Sequence, residues 1–223
     1  MIRIKRASNP AQLAITNKSF KEKIKGKNAK DAYEFYKQNK EMYQYNTKET
    51  KKKFKKMNYQ RCSFCTRYIF DFDTEMTVEH IKIKRDYPQK IFQWSNLLCA
   101  CRTCNTKRST KSYKKDNYLD PTKILDIENY FWFELDGTIG VNEELDVSKQ
   151  QCAKYMIDMY ELNRDNLVCE RRNFLKKMME DDNFFESLKK DDIFSQNIIF
   201  LSLFTYYRSF LYNSNIGNFE KEG

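Results

Sequence analysis

Four of the seven cysteines fall into two C-x-x-C pairs, Cys62/Cys65 and Cys101/Cys104, and this spacing constrains the chain more than any other feature. Each pair offers two thiolates from one tight knuckle, and zinc takes four such soft ligands in a closed tetrahedron. If both pairs share an ion, the chain between them must leave one knuckle and return to the other. The sole histidine, His80, lies within that excursion, in Val78-Glu79-His80-Ile81. Trp94-Ser95-Asn96-Leu97-Leu98 follows, and Asn105 comes directly after the second pair. An odd number of cysteines, four of them in such pairs, fits metal ligation in a reducing compartment better than a disulfide framework. Cys99, Cys152 and Cys169 are expected to be small core residues.

A zinc closed by four thiolates has no open position and cannot activate water, so any hydrolytic chemistry needs a second metal. Cutting a phosphodiester requires an activated water, in-line attack, and a cation for the transition state and departing oxygen. His80 is the one imidazole available as general base. Glu79 precedes it on a strand that would point the carboxylate to the opposite face unless the strand bends, although it could still reach a hard cation at the strand end. Asn105, opening the helix after the second knuckle, supplies a neutral oxygen ligand. One carboxylate and one amide leave several waters on the ion, which suits Mg2+ or Mn2+. Asn96 is expected to hydrogen-bond across the loop and hold His80 in orientation.

Charge is distributed unevenly. Met1 to Lys115 carries 29 Lys and Arg against 10 Asp and Glu, and Asp116 to Gly223 carries 12 against 21, so halves of +19 and −9 make up the net +10. The front half is suited to a polyanion, with DNA the leading expectation. Phosphate contacts are expected from Lys82, Lys84, Lys107 and Arg108 beside the site, and from a patch of Lys51, Lys52, Lys53, Lys55 and Lys56. The most apolar stretch, Asn197 to Leu211, is interrupted by Ser202, Thr205 and Arg208 and is too short and polar to span a bilayer. A cytoplasmic protein with no membrane partner is the expectation.

The pattern predicts an α+β, mainly helical chain in three parts: basic strand and helices over 1–57, the cysteine-framed core over 58–118, and an acidic, mostly helical region over 119–223. Ile2 to Arg6 alternates like a short strand. Residues from about Lys18 to Lys56 look helical. Phe70-Asp71-Phe72 and Met76-Thr77-Val78 are β-biased, and Arg85-Asp86-Tyr87-Pro88 marks a turn. Tyr130 to Leu135, closed by Asp136-Gly137 and followed by Thr138 to Val141, reads as a small accessory hairpin. Ser148 with Gln151 forms a capping box ahead of an apolar stripe through Cys152, Tyr155, Met156, Met159 and Tyr160. Further helices are predicted from about Asp165 through Met178 and from Phe194 to Tyr212.

Residues Cys62 to Arg108 resemble the HNH endonuclease family, with Glu-His in place of the commoner Asp-His and an asparagine where many members carry a third-motif histidine. V-E-H-I-K-I-K-R-D-Y-P followed by W-S-N-L-L-x-x-C-R-x-C-N-x-K is similar, more narrowly, to the retron-associated and Septu-type HNH proteins. The resemblance implies a zinc-stapled ββα-metal finger with His80 as general base, Glu79 and Asn105 on a catalytic divalent ion, and Asn96 in a structural role. It also implies antiphage defence beside an ABC-type ATPase of the PtuA kind, sometimes with a retron reverse transcriptase and its noncoding RNA. Two other readings stand beside DNA cleavage: the same chemistry on RNA such as tRNA, and a zinc-knuckle module that binds nucleic acid or a partner without cutting.

Overall fold

The computed structural model describes residues 1–109, 111, 113–190 and 198–207. Three helices precede the cysteine-framed segment: α1 (Ala11–Lys23), α2 (Ala29–Gln38) and α3 (Lys48–Met57). Their ends explain why one long helical reading divides into three. Asn28 caps α2 by accepting from Asp31 N, and Thr47 caps α3 by accepting from Thr50 N. Helix α1 has no side-chain cap of its own. Instead, Glu49 of α3 accepts from Ala11 N and Gln12 N at 3.0 and 3.2 Å, placing a carboxylate on the positive end of α1.

The helices converge on an aromatic cluster in which Phe20 meets Tyr43 and Phe92 edge-on at 5.3 and 4.9 Å, while Phe54 packs on Trp94 at 4.8 Å. Phe92 and Trp94 belong to the excursion between the knuckles, so the basic helices are packed directly against the candidate site.

The amino-terminal residues are not the expected strand. Ile4 N donates to Pro121 O, but Arg3 N is taken by the Glu128 carboxylate, so the alternation meets separate partners rather than a strand edge. Arg6 donates to Trp94 O and Leu97 O at 2.7 and 2.9 Å. Phe70 to Phe72 is not a strand either. Asp71 accepts from Asp73 N and Thr74 N and starts the short helix α4 (Phe72–Glu75), so a local cap overrides the β bias.

The core is a two-stranded antiparallel ladder, β1 (Met76–His80) against β2 (Leu97–Cys101), leading into α5 (Arg102–Ser109). Met76 pairs with Cys101 and His80 with Leu97. Every residue of β2 is buried, as expected of a strand covered on both faces. The accessory hairpin forms as expected, with β3 (Phe131–Phe133) against β4 (Ile139–Val141). Gly137, at φ +89°, makes its turn where a Cβ would lie 2.4 Å from Val168 O.

Helices α6 (Val147–Met159), α7 (Asp165–Glu180) and α8 (Asp182–Lys190) follow. The expected Ser148 capping box is displaced, because Asp146 is the cap, accepting from Lys149 N, and Ser148 lies inside α6. Of the helix predicted over 194–212, residues 201–207 are helical, and 194–197 and 208–212 lie outside the described residues. Among the described residues no helix is long and apolar enough to cross a membrane.

Candidate active site and thiol cluster

The two ends of the β1–β2 ladder do different work. At one end the knuckles meet. Cys62 N donates to Arg67 O and Thr66 N to Cys62 O, turning the first pair tightly, with Thr66 at φ 57°. Ser63 N donates to Cys99 O, which fixes that knuckle to β2. The second pair spans the junction where β2 becomes α5. All four Sγ atoms lie within 4.8 Å of one another, all are buried, and Cys65 Sγ is 4.0 Å from Cys101 Sγ. Tetrahedral zinc with bonds near 2.3 Å places its sulfurs about 3.8 Å apart, so the cluster fits zinc in size and chemistry.

Hydrogen bonds from neighbouring thiols draw Cys101 far below its ordinary value, while burial holds Cys62 well above its own. The Arg164 guanidinium approaches Cys104 Sγ at 3.8 Å through both terminal nitrogens, countering the charge a set of thiolates would carry. Cys99 is buried as expected, Cys152 is half-buried at the edge of the core with its thiol donating to Asp116 O, and Cys169 is exposed on α7.

His80 occupies the other end. The register sets it four residues from the Cys101 position, roughly 13 Å at 3.4 Å per residue. A zinc in the thiol cluster therefore cannot reach water beside His80. The histidine is 5% exposed and lines a cleft of about 690 Å³ together with Glu79, Lys84, Asn105, Arg108 and Lys111. Glu79 and His80 thus serve one cleft despite the alternation of a strand, because His80 is the last residue of β1, where the chain turns away.

His80 Nε2 lies 3.0 Å from Ile91 O. A carbonyl can only accept, so Nε2 carries the proton and Nδ1 holds the lone pair. Burial first, then the nearby Lys84 ammonium, pushes the imidazole down to about 3, so the ring is neutral at ordinary pH. Tyr45 meets it edge-on at 4.7 Å, and Lys84 Nζ donates to the Tyr45 hydroxyl at 3.0 Å.

The Glu79 carboxyl is pushed up to about 8 by burial, against the opposing pull of Arg108 and Lys84. Arg108, 1% exposed, reaches Glu79 Oε1 only at ion-pair distance, 3.5 Å from Nε, and among the described residues that Nε–H has no hydrogen-bond acceptor. Its terminal nitrogens are spent on Lys111 O and Ile81 O. A buried carboxylate and a half-buried amide, Asn105, make an oxygen donor set that fits a hard divalent cation.

Asn96 closes the loop between the strands. Its Oδ1 accepts from Lys82 N at 2.8 Å, and its Nδ2 donates to Lys82 O and Lys90 O at 3.1 and 3.0 Å. Ile81 N donates to Asn96 O, so the residue braces the chain just past His80.

The basic residues divide. Lys84 lines the cleft. Lys82 is half-buried, its Nζ 5.1 Å from the Tyr87 ring centre, and Lys107 pairs with Glu161 at 2.7 Å. Arg108 is buried beside Glu79 instead of standing as a surface phosphate contact. None of Lys51, Lys52, Lys53, Lys55 and Lys56 lines the cleft. Lys51 turns to Asp73 and Lys53 to Ser8. Tyr45, Lys111 and Tyr113 line the cleft from segments bearing no motif, and Arg85 lines it from within the run after His80, where it was read only as part of a turn.

Residues 61–111 match the family model described as HNH endonuclease. This segment is an HNH endonuclease domain. A stretch of 66 residues is also 35% identical to the Septu protein PtuB of Bacillus thuringiensis, covering 30% of this chain and 26% of that protein. The chain thus aligns with about a quarter of that relative's length.

Proposed function

We propose that the chain is a metal-dependent endonuclease that hydrolyses phosphodiester bonds of DNA at the His80 end of the ladder, as the effector of an antiphage defence system. The observation that carries this reading is the convergence of Glu79, His80 and Asn105 on one cleft, with the imidazole neutral and anchored through Nε2. In this reading Nδ1 of His80 takes the proton from the attacking water. The Ile91 carbonyl holds the ring and stabilises the imidazolium that results. Burial alone makes His80 a weak base, but a phosphate set against Lys84 offsets the charge that depresses it, so substrate itself raises its basicity.

Glu79 and Asn105 would hold Mg2+ or Mn2+, which when bound supplies positive charge to the transition state and departing oxygen. Arg108 and Lys111 provide further positive charge in the cleft. The Cys62, Cys65, Cys101 and Cys104 cluster holds a structural zinc that keeps β2 and α5 in place. Control by a PtuA-like ATPase is part of the proposal, and the similarity to a Septu protein supports it.

The test is plasmid nicking with Mg2+ or Mn2+, comparing wild type with His80→Ala at matched zinc content, alone and with an ATPase partner, alongside a structured RNA. Cleavage of DNA that disappears in His80→Ala supports the reading. RNA cleavage alone redirects the substrate, and cleavage of neither leaves a binding module.

A further inference from the structure

A second concavity, of about 310 Å³, lies at the carboxy-terminal end of α3 and shares no lining residue with the catalytic cleft. It is lined by Lys52, Lys55, Lys56, Tyr59, Gln60 and Tyr68. Among the described residues no carboxylate lines it, and the three lysines, all exposed, stand at i, i+3 and i+4 on one helical face. Like charges so placed repel one another and are relieved by an anion.

The backbone here carries a second observation. Gln60 N donates to Lys55 O at 3.0 Å, the six-to-one closure that ends a helix, with Tyr59 at φ 52° and Gln60 at φ 58°. Terminating α3 explains the left-handed conformation, which glycine enters freely and L-residues resist. The Tyr59 ring packs partly against the core and also lines the concavity. Strain of this kind gathers where a side chain is wanted for function.

The far wall is aromatic as well. Tyr68 rests one face on the Arg61 guanidinium, 5.2 Å from the ring centre, and meets exposed Phe70 edge-on at 5.2 Å. Gln60 Nε2 is fixed on Ile69 O, so the amide is held rigid at the pocket floor.

We propose that this concavity is a binding subsite for single-stranded nucleic acid, in which a base stacks on Tyr59 while Lys52, Lys55 and Lys56 take the flanking phosphates. A duplex keeps its base faces stacked on one another and cannot offer them to tyrosine, whereas an unpaired base can. The subsite rests on the reading of the chain as acting on nucleic acid. It gives the nuclease a hold on an unpaired strand away from the cut.

Tyr59→Gly removes the ring and relaxes the backbone but gives up a core contact, so it is paired with Tyr59→Leu, which keeps an apolar contact without an aromatic face, and binding is compared at a temperature where both variants are folded. Fluorescence anisotropy with labelled oligo-dT, oligo-rU and a duplex of equal length, without added divalent metal, should show single-strand affinity reduced about tenfold in both variants and a duplex affinity within twofold of wild type. Replacing Lys52, Lys55 and Lys56 with glutamine should lower the log–log salt slope for oligo-dT by about 2. Photocrosslinking of an iodouridine oligonucleotide should label Tyr59.

Unchanged single-strand affinity in either variant, an equal fall for duplex and single strand, or no binding of oligo-dT by wild type overturns the proposal. Nicking assayed in parallel separates the two readings. A chain that cuts DNA yet ignores Tyr59→Gly loses only the subsite, and one that never cuts yet binds oligo-dT through Tyr59 loses only the nuclease.

Discussion

The two ends of one short ladder divide chemistry by ligand type. At the Cys101 end four soft donors are packed together and sealed from water. At the His80 end an oxygen donor set and an imidazole border an open cleft. The same two strands serve both, and the register holds the ends about 13 Å apart. A closed site makes a scaffold because it leaves no ligand position for substrate. An open one leaves donors within reach of a substrate or an ion, and burial raises the Glu79 carboxyl there.

The sharpest way to break this comparison is at the closed end. Cys62→Ser should remove zinc, about one equivalent per chain in wild type, and unfold the finger, because metal binding there is folding free energy. Elemental analysis with circular dichroism checks it, and a folded, active variant would show that the thiol end is not a scaffold. At the open end His80→Ala should leave zinc content and melting temperature near wild type while nicking falls about 10²–10⁴-fold. A parallel loss of zinc would mean the two ends are not separable.

The closed end was the more legible in sequence, for a physical reason. Zinc ligation imposes a spacing on neighbouring residues, and Cys62, Cys65, Cys101 and Cys104 display it in linear order. Glu79, His80 and Asn105 were legible as candidates because they ride on the same framework, Glu79 and His80 on β1 and Asn105 on α5. What surrounds them was not. Tyr45 reaches His80 from a loop before α3, through packing that leaves no periodicity. Arg108 looked like a surface cation, and only the burial of α5 against β1 turns it toward Glu79. Alternation at Ile2 to Arg6 and β bias at Phe70 to Phe72 misled because both are local signals, overridden respectively by the lack of a strand edge and by the Asp71 cap.

A pH titration of metal affinity sharpens the contrast further. The Glu79 carboxyl is raised to about 8, so below that pH a divalent ion must displace its proton. Apparent Mg2+ or Mn2+ affinity should therefore climb about tenfold per pH unit up to about 8 and then level off. Glu79→Gln should bind weakly with no such slope. Calorimetry between pH 6 and 9 measures this, and a flat wild-type profile would mean that Arg108 already keeps the carboxylate ionised.

The smallest effect is expected in the loop that joins the two strands at the His80 end. Asn96 makes three hydrogen bonds that close Lys82 and Lys90 around the chain after His80, and it is 4% exposed. Asn96→Ala removes all three and leaves main-chain groups short of partners, which should cost about 2–4 kcal/mol in urea unfolding at constant zinc. Because the thiol cluster lies at the far end of the ladder, zinc stoichiometry should not change. His80, however, sits two residues from Lys82 and loses its brace, so kcat should fall more than KM rises. If zinc affinity dropped along with stability, the ladder would be transmitting strain from one end to the other, and the scaffold and the reaction centre would have to be treated as a single cooperative unit.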